Sequence, residues 1–92
     1  MPHLFFIGKY RVYFWASDYK EPIHVHICHG QPHQNATKFW LTQNRGVFLA
    51  HNKSKIPEKD LKQIENALLV GYANICSQWK KAFHTEEITF YC

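Results

Sequence analysis

The chain has 92 residues, 46% of them hydrophobic, which is enough for one hydrophobic core but not for two. Eleven lysine and arginine residues against seven aspartate and glutamate residues give a net charge of +4, which favours an anionic partner over a cationic one. No apolar run approaches the roughly 18 residues of a membrane span, and the first residues lack the pattern of a secretory signal. Three widely spaced cysteines do not form a disulfide framework. We therefore expect a single domain over residues 1–92, located in the cytoplasm and without a membrane contact.

The first half of the chain has the pattern of a series of short β-strands. The turn Gly8-Lys9 joins the first two, because a two-residue turn with glycine first closes a hairpin. A polar loop over residues 17–21 leads into a strand that bears three histidines, with Pro22 at its entrance and Gly30 at its exit. The predicted strands cover residues 3–7, 10–16, 22–30, 36–41 and 47–50.

The second half changes to a helical period. From Pro57 onward, apolar residues recur every three or four positions, which predicts an amphipathic helix over residues 57–84, or a helix pair if Gly71 interrupts it. The tail, residues 86–92, alternates apolar and polar side chains and is either an edge strand or an exposed apolar end that contacts another subunit. The apolar stripe consists of Leu61, Ile64, Leu68, Tyr72, Ile75, Trp79 and Phe83.

These elements together predict an α+β fold. Its sheet has four or five mostly antiparallel strands, and a C-terminal helix or helix pair packs on one face.

The strand with the histidines alternates two kinds of side chain. The positions that we expect to point inward are Ile23, Val25 and Ile27. The intervening positions are His24, His26 and Cys28. Because residues two apart on a strand point the same way, roughly 6.5–7 Å apart, two imidazoles and a thiol share one face.

One interpretation of this row is a metal site. His24, His26 and Cys28 offer two nitrogens and a sulfur, which suit zinc or a similar divalent ion. A further ligand would come from elsewhere in the chain, and the candidates are His3, Asp18, Glu21, His29 and His33.

A second interpretation is acid–base catalysis without a cofactor. Paired imidazoles can take and give a proton, so His24 and His26 are candidate catalytic residues for cleaving RNA through its own 2′-hydroxyl. Basic and aromatic side chains would then bind the nucleic acid, and the candidates are Arg11, Lys38, Trp40 and Arg45.

A third interpretation is structural. The two histidines then hydrogen-bond to the backbone or to Tyr13 and Asp18, and Cys28 is a small buried filler.

The chain resembles the small prokaryotic proteins classed as domain of unknown function 4160. The resemblance extends from Met1 to about His84. It rests on the run Pro22 to Ile27, the opening aromatic hairpin, the segments Ala36 to Leu41 and Asn44-Arg45-Gly46, and the late amphipathic helix.

The chain departs from the family pattern at two places. Ile23 stands where the family often has a second proline, and Cys28 and residues 88–92 lie outside its usual pattern.

The resemblance implies a protein partner more strongly than it implies any particular reaction. Such proteins mostly lack an assigned activity and are typically encoded beside another small protein, as toxin–antitoxin pairs are. We therefore expect a toxin-like component that acts on RNA and is neutralised by a small partner protein encoded nearby. The alternative is a non-catalytic module that binds a metal or another protein. A homo-oligomer is compatible with either hypothesis.

Overall fold

The computed structural model describes residues 3–92 of the chain, and for His3 the backbone alone. Over these residues, five antiparallel strands pair in sequence order and two helices follow, which confirms the α+β fold. The strands are β1 (His3–Ile7), β2 (Tyr10–Tyr13), β3 (His24–His29), β4 (Thr37–Leu41) and β5 (Val47–His51). A short 3₁₀ helix spans Ala16–Lys20, and the helices are α1 (Glu58–Val70) and α2 (Tyr72–Phe83).

The opening hairpin forms where the sequence predicts it. Ile7 pairs with Tyr10 across the turn, and Gly8 adopts a φ of 57°, a left-handed conformation that costs glycine little.

The second strand is shorter than expected, and residues 16–20 form a 3₁₀ helix instead of the end of a strand and a loop. Asp18 explains this difference. Its carboxylate accepts the Trp15 N–H at 2.7 Å, and its own N–H donates to the Trp15 carbonyl at 3.0 Å, which closes a turn.

The helical segment is a helix pair that meets at Gly71. A Cβ atom at this position would lie 3.4 Å from Cζ of Phe5, so glycine lets β1 approach the junction closely. None of the helices in the described part of the chain is both long and apolar enough to cross a membrane.

The hydrophobic core lies between the helices and one face of the sheet. Ile23, Val25 and Ile27 are fully buried there, as their alternation predicts. From the helices, the buried residues are Ile64, Leu68, Tyr72, Ile75 and Trp79, whereas Leu61 and Phe83 are partly exposed.

The tail, residues 86–92, packs beside the start of β3 and the end of β4 without forming a strand. The Thr89 carbonyl accepts the Ile23 N–H at 2.9 Å, and the Cys92 carbonyl accepts the Gln43 N–H at 3.0 Å. Ile88 packs partly buried against the core. The prediction of an edge strand is therefore wrong. Contact with another subunit stays a prediction.

Candidate metal centre

His24 and His26 lie side by side on β3 but in different surroundings. The His24 side chain is 0% exposed, and its ring lies 5.4 Å from that of Trp40 and 5.7 Å from that of Trp79. The His26 side chain keeps 15% of its surface exposed, and its ring centroid is 5.0 Å from that of His24. Solvent therefore reaches this pair from the His26 side.

Asp18 brings a carboxylate to both imidazoles. Its Oδ2 atom lies 3.0 Å from Nε2 of His26 and 3.2 Å from Nε2 of His24. Burial alone would raise the pKa of this carboxyl, but His24 and His26, when they carry a proton on Nε2, and the Trp15 N–H outweigh burial and hold the pKa well below its usual range. Asp18 is therefore an anion at neutral pH. The 3₁₀ helix places it here, because that turn points the Asp18 side chain at β3.

The protonation of His24 follows from its partners. Nδ1 lies 2.8 Å from the carbonyl oxygen of Pro22, and since a carbonyl only accepts, Nδ1 must carry a proton. In the neutral ring, Nε2 then has a lone pair, which faces the Asp18 carboxylate in a buried position without an aligned hydrogen bond. Two electron-rich atoms facing each other at this distance repel, unless a cation lies between them or Nε2 is protonated.

The three side chains form a group that suits a divalent cation. One ligand atom from each of Asp18, His24 and His26 can be chosen so that all three lie within 4.8 Å of one another. Ligands about 2.1 Å from a tetrahedral zinc ion are about 3.4 Å apart, close to the 3.0 and 3.2 Å separations from Oδ2. The hydrogen bond from Nδ1 of His24 to a backbone carbonyl is the usual way of orienting a metal-binding imidazole.

Cys28 does not join this group. Its thiol lies 3.7 Å from the Gly30 carbonyl and 3.6 Å from the Gln31 carbonyl, and it packs in a small cluster with Tyr13 and Ala36. Burial raises the pKa of this thiol, so it stays protonated at neutral pH and is a poor ligand. The third member of the group is therefore Asp18, one of the candidates for a further ligand, and not Cys28.

The other candidate ligands also lie outside the group. Glu21 pairs with Lys38 at 2.7 Å, His29 contacts the Tyr10 ring, and His33 accepts the N–H of Asn35. The side chain of His3 lies outside the described residues.

Two of the candidate nucleic-acid-binding residues are engaged within the chain. Nζ of Lys38 lies 2.7 Å from Glu21 and 4.1 Å from the centre of the Trp40 ring. The hydrogen bond from Lys38 lowers the pKa of Glu21. Trp40 is stacked by Tyr91 of the tail, with ring centroids 4.7 Å apart and planes 7° from parallel. A base that stacked on Trp40 from that side would have to displace Tyr91.

The two arginines lie apart from each other. The Arg11 guanidinium is 5.0 Å from the Phe6 ring centre on the β1–β2 hairpin. Arg45, with a φ of 65°, is 5.3 Å from the ring of Tyr72, the first residue of α2. His24 contacts Trp79, seven residues further along α2 and so about 10 Å along the helix axis. The structure therefore does not bring Arg45 beside the histidines.

Comparison with known proteins gives a family. The family model described as Domain of unknown function (DUF4160) matches residues 10–80, well over half of the chain. The chain belongs to this family. The part that matches the DUF4160 model includes Asp18, His24 and His26, and it ends before the tail. The chain matches no curated protein and no solved structure.

Proposed function

We propose that this DUF4160 protein is a divalent-metal-binding module whose ligands are Asp18, His24 and His26. The observation that carries the proposal is the buried Nε2 atom of His24, which has no aligned hydrogen bond and lies 3.2 Å from the Asp18 carboxylate. A metal ion bound between them would satisfy both atoms at once. Two nitrogens and one oxygen suit zinc or a similar first-row metal.

Three protein ligands leave a zinc ion one open position, which a water or a substrate can occupy. Because His26 is the most exposed of the three residues, with 15% of its side-chain surface exposed, that position would open toward His26. The competing state is an imidazolium, in which a proton on Nε2 of His24 takes the place of the metal.

Zinc titration distinguishes the two states. Protein without a histidine tag, stripped by a chelator, should bind about one zinc ion per chain in calorimetry. At a free zinc concentration of 100 times Kd, binding stabilises the fold by about 2.7 kcal/mol. For a domain of this size, the melting temperature should then rise by roughly 10–20 °C.

The variants Asp18→Asn and His26→Gln should each lose most of this shift. Matched controls are Cys28→Ser and His33→Gln, which we expect to retain it because neither residue belongs to the group. Comparing each variant with and without zinc separates metal binding from any change in intrinsic stability. A wild-type protein that shows no zinc-dependent shift, or a shift that both ligand variants keep, would overturn the proposal.

The toxin-like action on RNA stays a prediction. Its support is the basic charge and the gene arrangement that the family resemblance implies. Full burial of His24 weighs against direct contact between that imidazole and a 2′-hydroxyl, so His26 is the better candidate for a proton transfer. Growth arrest on expression, relieved by His26→Ala in protein that still folds, would support this hypothesis. Harmless expression together with stoichiometric zinc would favour the metal module alone.

A further inference from the structure

A basic cavity lies away from the histidine pair. It has a volume of about 320 Å³ and opens between the β1–β2 turn, the loop after β3 and the connection from β5 to α1. Its basic lining consists of Lys9, His29, His33, Lys53 and Lys55, and Tyr10 also lines it. Among the described residues, the lining includes no carboxylate, so the cavity presents donors and positive charge.

The lysines of this cavity have no acidic partners. Within residues 3–92, no ion pair involves Lys9, Lys53 or Lys55, whereas Lys38 is neutralised by Glu21. Asp60, in the first turn of α1, lies outside the lining and accepts a hydrogen bond from Tyr10 at 2.6 Å. These three lysines therefore leave uncompensated positive charge at the cavity.

The loop that presents two of these lysines is held rigidly. Asn52 accepts the Ile56 N–H and donates to the Ile56 carbonyl, both at 2.9 Å, which closes the loop around Lys53 and Lys55. The buried hydroxyl of Thr37 donates to Asn52 at 2.6 Å and anchors the loop to β4. A loop fixed in this way loses little conformational entropy when it binds a ligand.

Lys55 adopts a left-handed backbone conformation, with a φ of 56°. Glycine or asparagine adopts this conformation more readily, and a lysine there costs on the order of 1 kcal/mol. A lysine at a strained position in a cavity that Lys9 and Lys53 also line points to a role for its charge.

We propose that this cavity binds the backbone phosphates of single-stranded RNA. The lysines supply positive charge that attracts phosphate, and the imidazoles of His29 and His33 and the side chain of Asn35 add hydrogen-bond donors. His33 accepts the Asn35 N–H through Nδ1, so in the neutral ring its proton is on Nε2 and is available to donate. The proposal is independent of the metal centre, because the two sites share no residue.

Charge reversal at matched positions tests this site. Binding of a fluorescent single-stranded RNA oligonucleotide is measured by anisotropy over a range of salt concentrations. Lys53→Glu with Lys55→Glu should lower affinity roughly tenfold or more and reduce the salt slope by about 1.4, if each lysine neutralises one phosphate. The matched control is Lys59→Glu with Lys62→Glu, which makes the same charge change on exposed α1 positions outside the lining. It should change affinity much less.

Three further arms make the result decisive. Lys55→Gly should weaken RNA binding without lowering the melting temperature, because it removes the charge and relieves the left-handed strain. Arg11→Glu with Lys38→Glu tests the surface that the sequence suggested. Inorganic phosphate and a mononucleotide compete with RNA to identify a small phosphate ligand.

Several outcomes would overturn the proposal. One is an equal loss of RNA affinity in the Lys53 and Lys55 variant and in the Lys59 and Lys62 control. Another is a loss of RNA affinity in the Arg11 and Lys38 variant alone. The others are no RNA binding by the wild type and a mononucleotide that binds as tightly as RNA. Chelation of zinc should leave RNA affinity unchanged.

Discussion

Two histidines on one strand carry different chemistry in this protein because their partners differ. His24 is buried between indole rings, and its Nδ1 atom donates to a backbone carbonyl. His26 reaches solvent, and its Nε2 atom hydrogen-bonds to Asp18. Their near-identical sequence context, a histidine flanked by apolar residues, conceals this difference. Experiments that treat the pair as equivalent would therefore mix an effect on folding with an effect on the site.

Alanine at each histidine should separate these roles. We expect His24→Ala to cost about 2–3 kcal/mol, because it leaves a cavity against the two tryptophan rings, and His26→Ala to cost about 1 kcal/mol or less. Urea unfolding of metal-free protein measures both values. Equal costs would show that His24 is not held as tightly as its burial indicates.

Tyr10 should contribute to the alkaline limit of stability. Its hydroxyl donates to Asp60 at 2.6 Å, and burial together with that carboxylate raises the pKa of Tyr10 to about 12. A pKa that is higher in the folded state gives stability that is complete below pH 10, the usual tyrosine value, and is lost as the pH rises toward 12.

The variant Tyr10→Phe should lose about 1 kcal/mol at neutral pH, because the hydrogen bond to Asp60 is gone. The difference between this variant and the wild type should shrink between pH 10 and pH 12, as measured by chemical unfolding. A difference that stays constant over that range would contradict the assigned hydrogen bond.

At the level of elements, α2 joins the core to the candidate metal centre. Trp79 packs against Phe14 and Phe83 with ring centroids 5.1 and 4.7 Å apart, and its indole also contacts His24. The apolar stripe of the helix therefore fills the core and also forms one wall around His24. The hydrogen bond from Nδ1 of His24 to the Pro22 carbonyl offsets part of the cost of burying this imidazole beside the core.

Truncation of Trp79 tests the packing of α2. Trp79→Ala should cost roughly 3–5 kcal/mol, because the side chain is 3% exposed and its loss leaves a large cavity. Val70→Ala, at a position 90% exposed, is the matched control and should change the free energy of unfolding by less than about 0.5 kcal/mol. A melting temperature that Trp79→Ala does not lower would show that α2 is not packed as described.

For the whole molecule, the tail completes the surface of the sheet. Ile88 and Phe90 pack against the core, and Tyr91 stacks on Trp40. These residues lie beyond the segment that the family model matches, so this chain covers Trp40 with residues outside the shared region.

Deletion of residues 87–92 should expose Trp40 and lower stability by about 2–4 kcal/mol, because two partly buried apolar side chains and two backbone hydrogen bonds are lost. Tryptophan fluorescence should shift to longer wavelength in the truncated protein. Cys92→Ser is the control, since it preserves the tail and changes only an exposed thiol. An unshifted spectrum would mean that Tyr91 does not cover Trp40 in solution.

The strands, the inward-facing positions and the helical stripe were predictable from the sequence. Val25 and Ile27 alternate with polar residues, and Leu61 to Trp79 repeat at helical spacing, so neighbours along the chain are sufficient to indicate strand, helix and buried face. The helix break at Gly71 stayed open, because glycine is compatible with either outcome until Phe5 of a distant strand is placed beside it.

The composition of the site depended on contacts between segments that local pattern cannot place. Asp18 meets the histidines because a 3₁₀ turn, and not a loop, follows β2, and that turn is stabilised by the Asp18 side chain. Tyr91 reaches Trp40 across more than half of the chain, and Lys38 finds Glu21 only once β3 and β4 have paired. Periodicity indicates which face a residue occupies, but which remote side chain meets it is a property of tertiary packing.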